Sequence, residues 1–187
     1  SELLTALLDF DYASSADYAH AVGLFLTPFM RPAIPGNTPL HLITGAHEGS
    51  GKSTLCKLVG IVATGFEPAA SKHDQTWASE ANREIDEQLL KLPELVFIDN
   101  LDHDVVLSNA SLMRCLTNRK VDIRNRTSKR METIEVRCTW MATGVEITGT
   151  REIVRRVIPI ELRKSEEDRV GHLIPWATAH RAELVSM

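Results

Sequence analysis

Glycine, lysine and serine lie together at positions 49–53, in an arrangement that could bind the phosphates of a nucleotide. Gly49 and Gly51 allow the backbone to turn tightly, so that successive N–H groups converge on phosphate oxygens. Lys52 is expected to contact the β- and γ-phosphates, and the Ser53 hydroxyl is expected to be a ligand of Mg²⁺. The residues predicted to bind the nucleotide are Ala46, Gly49, Ser50, Gly51, Lys52, Ser53 and Thr54.

The segments on either side of this loop are those that a phosphate-binding loop requires. The mainly apolar run at 40–43 predicts a buried strand, and the apolar spacing of 55–62 predicts a helix. The N-terminus of such a helix directs unpaired N–H groups at the same anion. The match to the usual eight-residue motif has one departure, since its first glycine is replaced by Ala46, which is small enough for the turn. Glu48 places a negative charge near the phosphates unless its side chain points outward.

A second candidate group follows a run of four apolar residues that ends at Ile98. Such a run is typical of a strand in the middle of a parallel sheet, and ligands of α/β proteins bind at the carboxyl ends of these strands. Asp99 is therefore predicted to be the Walker B residue, which holds Mg²⁺ directly or through water. Together with Ser53 it forms the predicted magnesium site. The alternative is an aspartate that caps the next turn.

A basic segment lies between Arg114 and Arg137, where eight basic residues stand against three acidic ones. This is an excess of five positive charges in a chain whose net charge is −4, and it indicates a local surface that faces an anion. Apolar and polar residues alternate on both sides of 125–130, which predicts a β-hairpin with a basic tip. The second arm is expected to continue as the strand at 140–144. A solvated charged turn is the open alternative for the basic residues of the tip, which are Arg124, Arg126, Lys129 and Arg130.

The remaining periodicity predicts an α/β domain. Helices are predicted at 16–30, 80–90, 105–116 and, with an interruption near Pro175, 166–185; further strands are predicted near 69–72 and at 157–162. Pro159 indicates that the last strand lies at an edge or contains a bulge. We divide the chain into a helical lead-in at 1–36, an ATPase core at 37–164 and a C-terminal helical segment at 165–187.

Composition and length set limits on the class of protein. The 187 residues fit one domain with a real core, and 43% of them are hydrophobic. No apolar run approaches the roughly 20 residues of a membrane helix, and no secretory signal is evident, so we expect a cytoplasmic protein without a membrane partner. Three cysteines without metal spacing are expected to be reduced. The chain opens without a methionine, and we expect it to be an excised part of a longer protein.

The order of these segments resembles that of the AAA+ ATPases. It is most similar to the helicase-type ATPase domains that are attached to primases of phages, plasmids and integrated mobile elements. The resemblance covers most of the chain, and its order is more specific than any single string. The segments that carry it are Leu26 to Ile34 with Pro39-Leu40, Phe97 to Asn100, Ala142-Thr143-Gly144, Arg155 to Ile160, and Leu173 to Leu184.

This resemblance implies a P-loop NTPase of AAA+ type, with a central parallel sheet of five strands flanked by helices and a basic β-hairpin inserted before the sensor-1 strand. It further implies a homo-oligomeric ring, with a hexamer expected, that binds ATP and Mg²⁺ between neighbouring subunits. Thr143 would be the sensor-1 residue. Arg155 or Arg156 would be an arginine finger that acts in trans on the nucleotide of the next subunit. The hairpin tip would contact the phosphates of single-stranded or forked DNA.

Two departures from the family pattern affect the expected chemistry. Val145 and Glu146 stand where the relatives typically have two asparagines, which leaves Thr143 as the sensor. Asn100 stands where many AAA+ enzymes have a catalytic glutamate. An amide can position water but cannot accept its proton at neutral pH, so hydrolysis could be slow unless a nearby aspartate, at 102 or 104, acts as the base. Lys52, Asp99, Asn100, Thr143, Arg155 and Arg156 are the predicted catalytic residues.

These observations predict an ATP-hydrolysing AAA+ motor domain that acts on DNA, as a replicative helicase or translocase of a phage or mobile element. One alternative is an ATP-gated assembly or DNA-binding module with weak hydrolysis, which the missing asparagines favour. A second alternative is a P-loop small-molecule kinase. The sequence offers no recognisable lid for such a kinase, whereas the basic hairpin and the late arginines suit a ring.

Overall fold

The computed structural model describes residues 2–45, 47, 49–72, 80–101, 106–107, 109–145, 147–163 and 171–186. Its helices are α1 (Glu2–Leu8), α2 (Ser15–Met30), α3 (Lys52–Thr64), α4 (Glu80–Leu89), α5 (Ala110–Thr117), α6 (Arg151–Val154) and α7 (Leu173–Val185). Its strands are β1 (Leu40–Thr44), β2 (Ala70–Lys72), β3 (Leu95–Leu101), β4 (Val106–Leu107), β5 (Lys120–Arg124), β6 (Met131–Glu135), β7 (Thr139–Gly144), β8 (Thr148–Gly149) and β9 (Val157–Glu161). None of the described helices has the length and apolar character needed to span a membrane.

Five parallel strands form the central sheet, in the order β2-β3-β7-β1-β9. The predicted parallel sheet of five strands flanked by helices is thus confirmed. Because the strands are parallel, their carboxyl ends meet at one edge of the sheet, which we call the carboxyl edge, and their amino ends meet at the opposite amino edge. The glycine-rich loop follows β1 at the carboxyl edge. Asp99 in β3 lies near this edge as well, as the continuous apolar strand predicts.

Each face of the sheet is covered by its own hydrophobic cluster, because side chains alternate along a strand. In β3, Val96 and Ile98 pack towards α4, α5 and the β5–β6 hairpin, whereas Phe97 packs on the opposite face, towards α2, α3 and α7. In β7, Trp140 and Met141 divide between the two faces in the same way. Burial on both faces explains why these strands are continuously apolar in sequence.

The edge strand β9 is covered by the N-terminal part of the chain. Pro159 lies within β9, which confirms the edge position that the proline predicts. The backbone of Ala13 donates to the carbonyl of Glu161 at 2.9 Å, and Tyr12 forms a bridge with Leu162. The hydrophobic cluster on the α3 side draws residues from the lead-in, the core and α7. The division into three parts stays a prediction.

The start of α5 differs from the sequence-based expectation of a helix at 105–116. The helix begins at Ala110, because the side chain of Asn109 accepts the backbone N–H of Leu112 at 2.8 Å and caps it. Val106 and Leu107 form instead the short strand β4, which pairs with β8. The predicted helix was therefore wrong in its first turn. Asp102 and Asp104 lie outside the described residues.

Two further expectations are corrected. The second arm of the hairpin does not run on into β7: β6 ends at Glu135, and the carbonyls of Val136 and Cys138 accept hydrogen bonds from the side chains of Arg31 and Thr38. Pro175 does not interrupt a helix, because it lies in the first turn of α7, where a backbone N–H has no partner within the helix. The predicted helical residues 166–170 lie outside the described part of the chain.

Candidate nucleotide site and basic hairpin

The described end of the glycine-rich loop, residues 49–51, has backbone angles suited to an anion-binding turn. Gly49 and Gly51 have φ angles of 79° and 87°, in the left-handed region that glycine adopts without strain. Gly51 is the N-cap of α3, so the first N–H groups of the helix are directed towards the loop. Ser50 is buried within the loop, and Thr54 lies in the first turn of α3. Ala46 and Glu48 lie outside the described residues.

Gly45 also serves this turn, a role that the motif alone did not reveal. A Cβ atom at Gly45 would lie 2.6 Å from the carbonyl oxygen of Leu162 and 2.9 Å from Oγ of Ser50. Leu162 is held there because its N–H donates to the carbonyl of Thr44 at 2.8 Å. The absence of a side chain at Gly45 lets the chain after β9 approach the loop closely.

The Lys52 ammonium lies over the loop. Its Nζ atom donates to the carbonyl oxygen of His47 at 2.8 Å and to Oγ of Ser50 at 3.2 Å. A lysine ammonium has three donors and no acceptor, so it satisfies them on whatever oxygens are nearest. Phosphate oxygens in the turn would compete for the same donors. The position of Lys52 therefore fits the predicted role towards a bound phosphate.

Three side chains from different elements meet around one carboxylate oxygen. Oδ1 of Asp99 accepts a hydrogen bond of 2.7 Å from Oγ of Ser53 and one of 2.6 Å from Oγ1 of Thr143. Asp99 is half-buried, and Thr143 is buried. The structure thus brings together the predicted magnesium ligands and the predicted sensor residue. The bond between Thr143 and Asp99 is a feature that sequence reasoning did not find.

A bulge in β3 shapes the end of this strand. Ile98 pairs with Ala142, but Leu101 pairs with Gly144, so β3 contains one residue more than β7 over this stretch. Asn100 has a φ of 56°, in the left-handed region that asparagine tolerates better than most residues. Its backbone N–H donates to Oγ1 of Thr143 at 2.8 Å, and its side chain is exposed. Asn100 therefore follows the Asp99 carboxylate at the carboxyl edge with its side chain exposed to solvent.

The thiol of Cys56, in α3, has a raised pKa. Burial, and secondarily the Asp99 carboxylate, raise the pKa of the Cys56 thiol well above its ordinary value. Cys56 is fully buried, as are Cys115 and Cys138, and all three are free thiols. Cys56 is therefore a neutral packing residue behind the site.

The donor set around Asp99 fits a magnesium ion of the kind that accompanies a nucleotide. Among the described residues, no cluster of three or more histidine, cysteine, aspartate or glutamate side chains could hold a metal by itself. Mg²⁺ in nucleotide sites is held by one or two protein oxygens, with phosphates and water as its remaining ligands. Ser53 Oγ and Asp99 Oδ1, which already lie 2.7 Å apart, match this requirement.

The basic hairpin is present and projects its charged tip into solvent. β5 and β6 pair antiparallel from Lys120 with Glu135 to Arg124 with Met131. The Asn125 side chain accepts N–H groups of Thr127 and Ser128, which fixes the turn. The four basic side chains of the tip are all exposed, and none has a side-chain partner among the described residues: Arg124, Arg126, Lys129 and Arg130.

Arg155 and Arg156 lie far from the glycine-rich loop of their own chain. They precede β9 at the amino edge, where they line an open groove of about 670 Å³ together with Arg114 and Glu152. Nη1 of Arg156 donates to the carbonyl of Glu152 at 2.6 Å, and its own carbonyl accepts the N–H of Leu40. Arg155 is exposed and has no side-chain partner in the described part of the chain. The structure does not bring these arginines together with Lys52 or Asp99.

Solved structures of similar fold include helicases. No protein-family model matches the sequence, and no curated protein is significantly similar to it. The C-terminal region of NrS-1, in an apo form, matches all of this chain over 45% of its own length, with a TM-score of 0.63 and 18% identity. JCV helicase, bound to a small molecule, matches 92% of this chain over 51% of its own length, with a TM-score of 0.52 and 16% identity. A further structure of JCV helicase matches with a TM-score of 0.51 and 11% identity.

These likenesses establish the fold of the chain as an α/β domain similar to helicase domains. The chain spans about half the length of the structures that it matches. At such identities, similarity of sequence identifies no residue role. The roles of individual residues must be argued from the geometry of this chain.

Proposed function

We propose that this chain is an ATP-hydrolysing motor domain of AAA+ type that acts on DNA. The observation that carries the proposal is the meeting of Ser53, Asp99 and Thr143 around one carboxylate oxygen, beside a glycine-rich turn, at the carboxyl edge of a parallel sheet. This is the edge at which open α/β sheets bind nucleotides. Fold similarity to helicase domains supports the same conclusion.

Each residue of the site has its own proposed role in binding a triphosphate. The N–H groups of the loop and of the first turn of α3 would hold the phosphates, and Lys52 would leave the His47 carbonyl to contact the β- and γ-phosphates. Ser53 and Asp99 would hold Mg²⁺, which, when bound, offsets the charge that develops on the phosphate oxygens. Thr143 keeps Asp99 in place and is held in turn by the Asn100 N–H.

Asn100 is the candidate for positioning the attacking water. Its side chain is exposed, and it follows Asp99 directly in the chain at the bulge in β3. An amide orients water without accepting its proton. This observation also favours the second candidate function, in which the domain binds Mg-ATP, assembles on DNA and hydrolyses little. A measured turnover separates the two.

The position of Arg155 supports an arginine finger that acts in trans. The five residues of β9 span about 16 Å, and the arginines precede its first residue while the loop lies beyond its last. An arginine at the amino edge therefore cannot reach the loop of its own chain, but it can reach the nucleotide of a neighbour in a ring. Arg156 is tied to Glu152, whereas Arg155 has no such bond, so we assign the finger to Arg155.

DNA would be contacted by the hairpin tip. These four exposed cations have no side-chain partners within the described part of the chain. They are suited to the phosphates of a strand that moves past them, because such contacts carry no sequence information. Single-stranded or forked DNA, bound in the channel of a hexameric ring, is the proposed partner.

The test of this proposal compares two lysines of α3. Lys52→Ala should abolish both DNA-stimulated ATP hydrolysis and tight Mg-ATP binding. Lys57→Ala removes the same side chain from the same helix, where it forms an exposed ion pair with Glu67, and should leave both properties unchanged. Equal activity of the Lys52→Ala and wild-type proteins would refute the nucleotide site, and tight binding without turnover in the wild type would favour the assembly module.

A further inference from the structure

A second cluster of cations lies at the base of the hairpin, away from both its tip and the nucleotide loop. It surrounds a cavity of about 260 Å³ between the end of the lead-in and the open end of the hairpin. We call this the hairpin-base cavity. Its lining consists of residues 31–35, Arg119, Glu135 and Arg137. Arg119 precedes β5, and Glu135 is the last residue of β6, so the cavity lies where the two arms join the body of the domain.

Arg31 is a buried residue that lines this cavity. Only 9% of the residue is exposed, and its guanidinium donates to the carbonyls of Ile34 and Val136, both at 2.9 Å. Its Nε atom is buried and has no hydrogen-bond partner in the structure. Among the described residues, no carboxylate pairs directly with it, so its direct hydrogen-bond partners are backbone carbonyls. A buried positive charge is costly unless an anion is nearby.

Arg119 and Arg137 converge on a single oxygen of Glu135. Oε1 of Glu135 accepts a hydrogen bond from Nε of Arg119 at 2.8 Å and one from Nη2 of Arg137 at 3.0 Å. Nη2 of Arg119 also lies 2.8 Å from this oxygen. Hydrogen bonds from Arg119 and then from Arg137 lower the pKa of Glu135, which keeps it ionised. Three guanidinium groups and one carboxylate therefore line the cavity, which leaves an excess of two positive charges around it. Burial, together with repulsion from Arg137 and Arg119, lowers the pKa of Arg31.

The arrangement suits an oxyanion with several oxygens better than a second carboxylate. Both exposed arginines retain N–H groups that Glu135 does not occupy, because each guanidinium has five donors in a planar fork. The fork geometry matches phosphate oxygens, and two excess charges match a phosphate dianion or two neighbouring diester phosphates. We propose that the hairpin-base cavity is a second phosphate-binding site, separate from the nucleotide loop, which takes a phosphate group of a nucleic-acid backbone or a free phosphate. The first source extends the proposed action on DNA.

Substitution of Glu135 distinguishes an anion-binding site from a purely structural network of arginines. If the arginines serve only to join the lead-in to the hairpin, Glu135→Gln weakens the charge-assisted hydrogen bonds and should loosen the network. If they form an anion site, Glu135→Gln removes the competing negative charge and should tighten binding of a phosphate. Arg137→Gln should weaken binding under the second account, since it removes one of the cations that face solvent.

The experiment is carried out in Lys52→Ala protein, so that the nucleotide loop does not contribute to phosphate binding. Two probes, inorganic pyrophosphate and a fluorescent oligothymidylate, are titrated against Arg137→Gln, Glu135→Gln and the matched control Arg83→Gln. Arg83 is about as exposed as Arg119 and pairs with Glu87 on α4, so its variant loses the same charge outside the cavity. Thermal unfolding of each variant shows whether it remains folded.

We expect Arg137→Gln to weaken binding about tenfold and Glu135→Gln to strengthen it several-fold, with Arg83→Gln close to the parent. If these changes in affinity occur for oligothymidylate alone, and the salt slope is lower by about one in Arg137→Gln, the ligand is a backbone phosphate. If the same changes occur in the affinity for pyrophosphate, the site binds a free phosphate. Failure of both probes to bind, equal effects of Arg137→Gln and Arg83→Gln, or weaker binding in Glu135→Gln would overturn the proposal. Because no step uses hydrolysis, these outcomes are independent of the proposed ATPase activity.

Discussion

The same hydrogen bond occurs at two places in this molecule with different surroundings. At the carboxyl edge, Thr143 donates to Oδ1 of Asp99 at 2.6 Å, and on the hairpin Thr133 donates to Oδ1 of Asp122, also at 2.6 Å. Thr143 is buried, and its partner receives a second hydroxyl from Ser53. The hairpin pair is exposed and stands alone on a cross-strand position. The first pair belongs to a preorganised site, and the second is a surface contact of a strand.

This contrast extends to the two regions as wholes. Polar groups at the carboxyl edge are bonded to one another, which fixes their geometry before a ligand arrives, as phosphoryl transfer requires. The tip of the hairpin instead presents cations without side-chain partners, and such charges can follow a flexible polyanion at little conformational cost. We therefore expect substitutions at the carboxyl edge to affect turnover and substitutions on the hairpin to affect DNA affinity.

Among the substitutions that test this contrast, the largest effect is expected from Arg155, which we propose acts at the nucleotide site of a neighbour. Arg155→Ala should lower DNA-stimulated ATPase activity by about 1000-fold, because a finger that stabilises the transition state contributes at least that much. Arg151→Ala, an exposed arginine on α6, should change it little. Mixing Arg155→Ala with wild-type protein should depress activity more than dilution does. A linear mixing curve would contradict action in trans.

The two aspartates of the comparison should differ by about two orders of magnitude. Asp99→Asn should lower the turnover about 100-fold, since it removes the charge that would hold Mg²⁺ against the phosphates. Asp122→Asn, which loses the equivalent acceptor of a threonine hydroxyl, should leave turnover within about twofold of wild type. The measurement is the steady-state ATPase rate at saturating Mg-ATP. Similar rates for the two variants would mean that Asp99 has no catalytic part.

The two threonines test the hydrogen bond itself. Thr143→Val should lower turnover about tenfold, because the Asp99 carboxylate loses one charge-assisted bond and the Asn100 N–H loses its acceptor. Thr133→Val keeps the β-branched shape on β6 and should leave turnover unchanged. Single-turnover kinetics would show whether the loss lies in the chemical step. A loss confined to the apparent KM would place Thr143 in nucleotide binding instead.

The smallest effect is expected at the hairpin tip. Arg126→Gln should weaken binding of single-stranded DNA about fivefold at moderate salt and lower the salt slope by about one, because one phosphate contact is lost. Basal ATPase activity, measured without DNA, should not change. Fluorescence anisotropy at several salt concentrations measures both quantities. An unchanged slope would show that the tip lies outside the DNA path.

Sequence reasoning succeeded where the determinants are local. Buried strands such as the one at 95–98 follow from apolar runs, and the glycine-rich turn follows from residues that are adjacent in the chain. The parallel sheet of five strands was predicted by the resemblance to AAA+ ATPases. The hairpin follows from alternation on both sides of 125–130. Each of these patterns lies within about a dozen residues and depends on little else.

The features that were missed depend on distant partners or on a single cap. The break between β6 and β7 arises because side chains about a hundred residues earlier, Arg31 and Thr38, bond the carbonyls of Val136 and Cys138. The bond from Thr143 to Asp99 exists only once β3 and β7 are neighbours. Apolar residues at 105–107 mimic the start of a helix, and only the Asn109 cap moves it to Ala110.

The central claim is that turnover requires a neighbouring subunit beside the bound nucleotide and is stimulated by DNA. It is tested most directly by the steady-state ATPase rate per chain, measured across a wide range of protein concentrations with and without single-stranded DNA. The account predicts a rate per chain that rises with concentration until assembly is complete and rises further with DNA. A rate per chain that is independent of both concentration and DNA, despite tight binding of Mg-ATP, would contradict it.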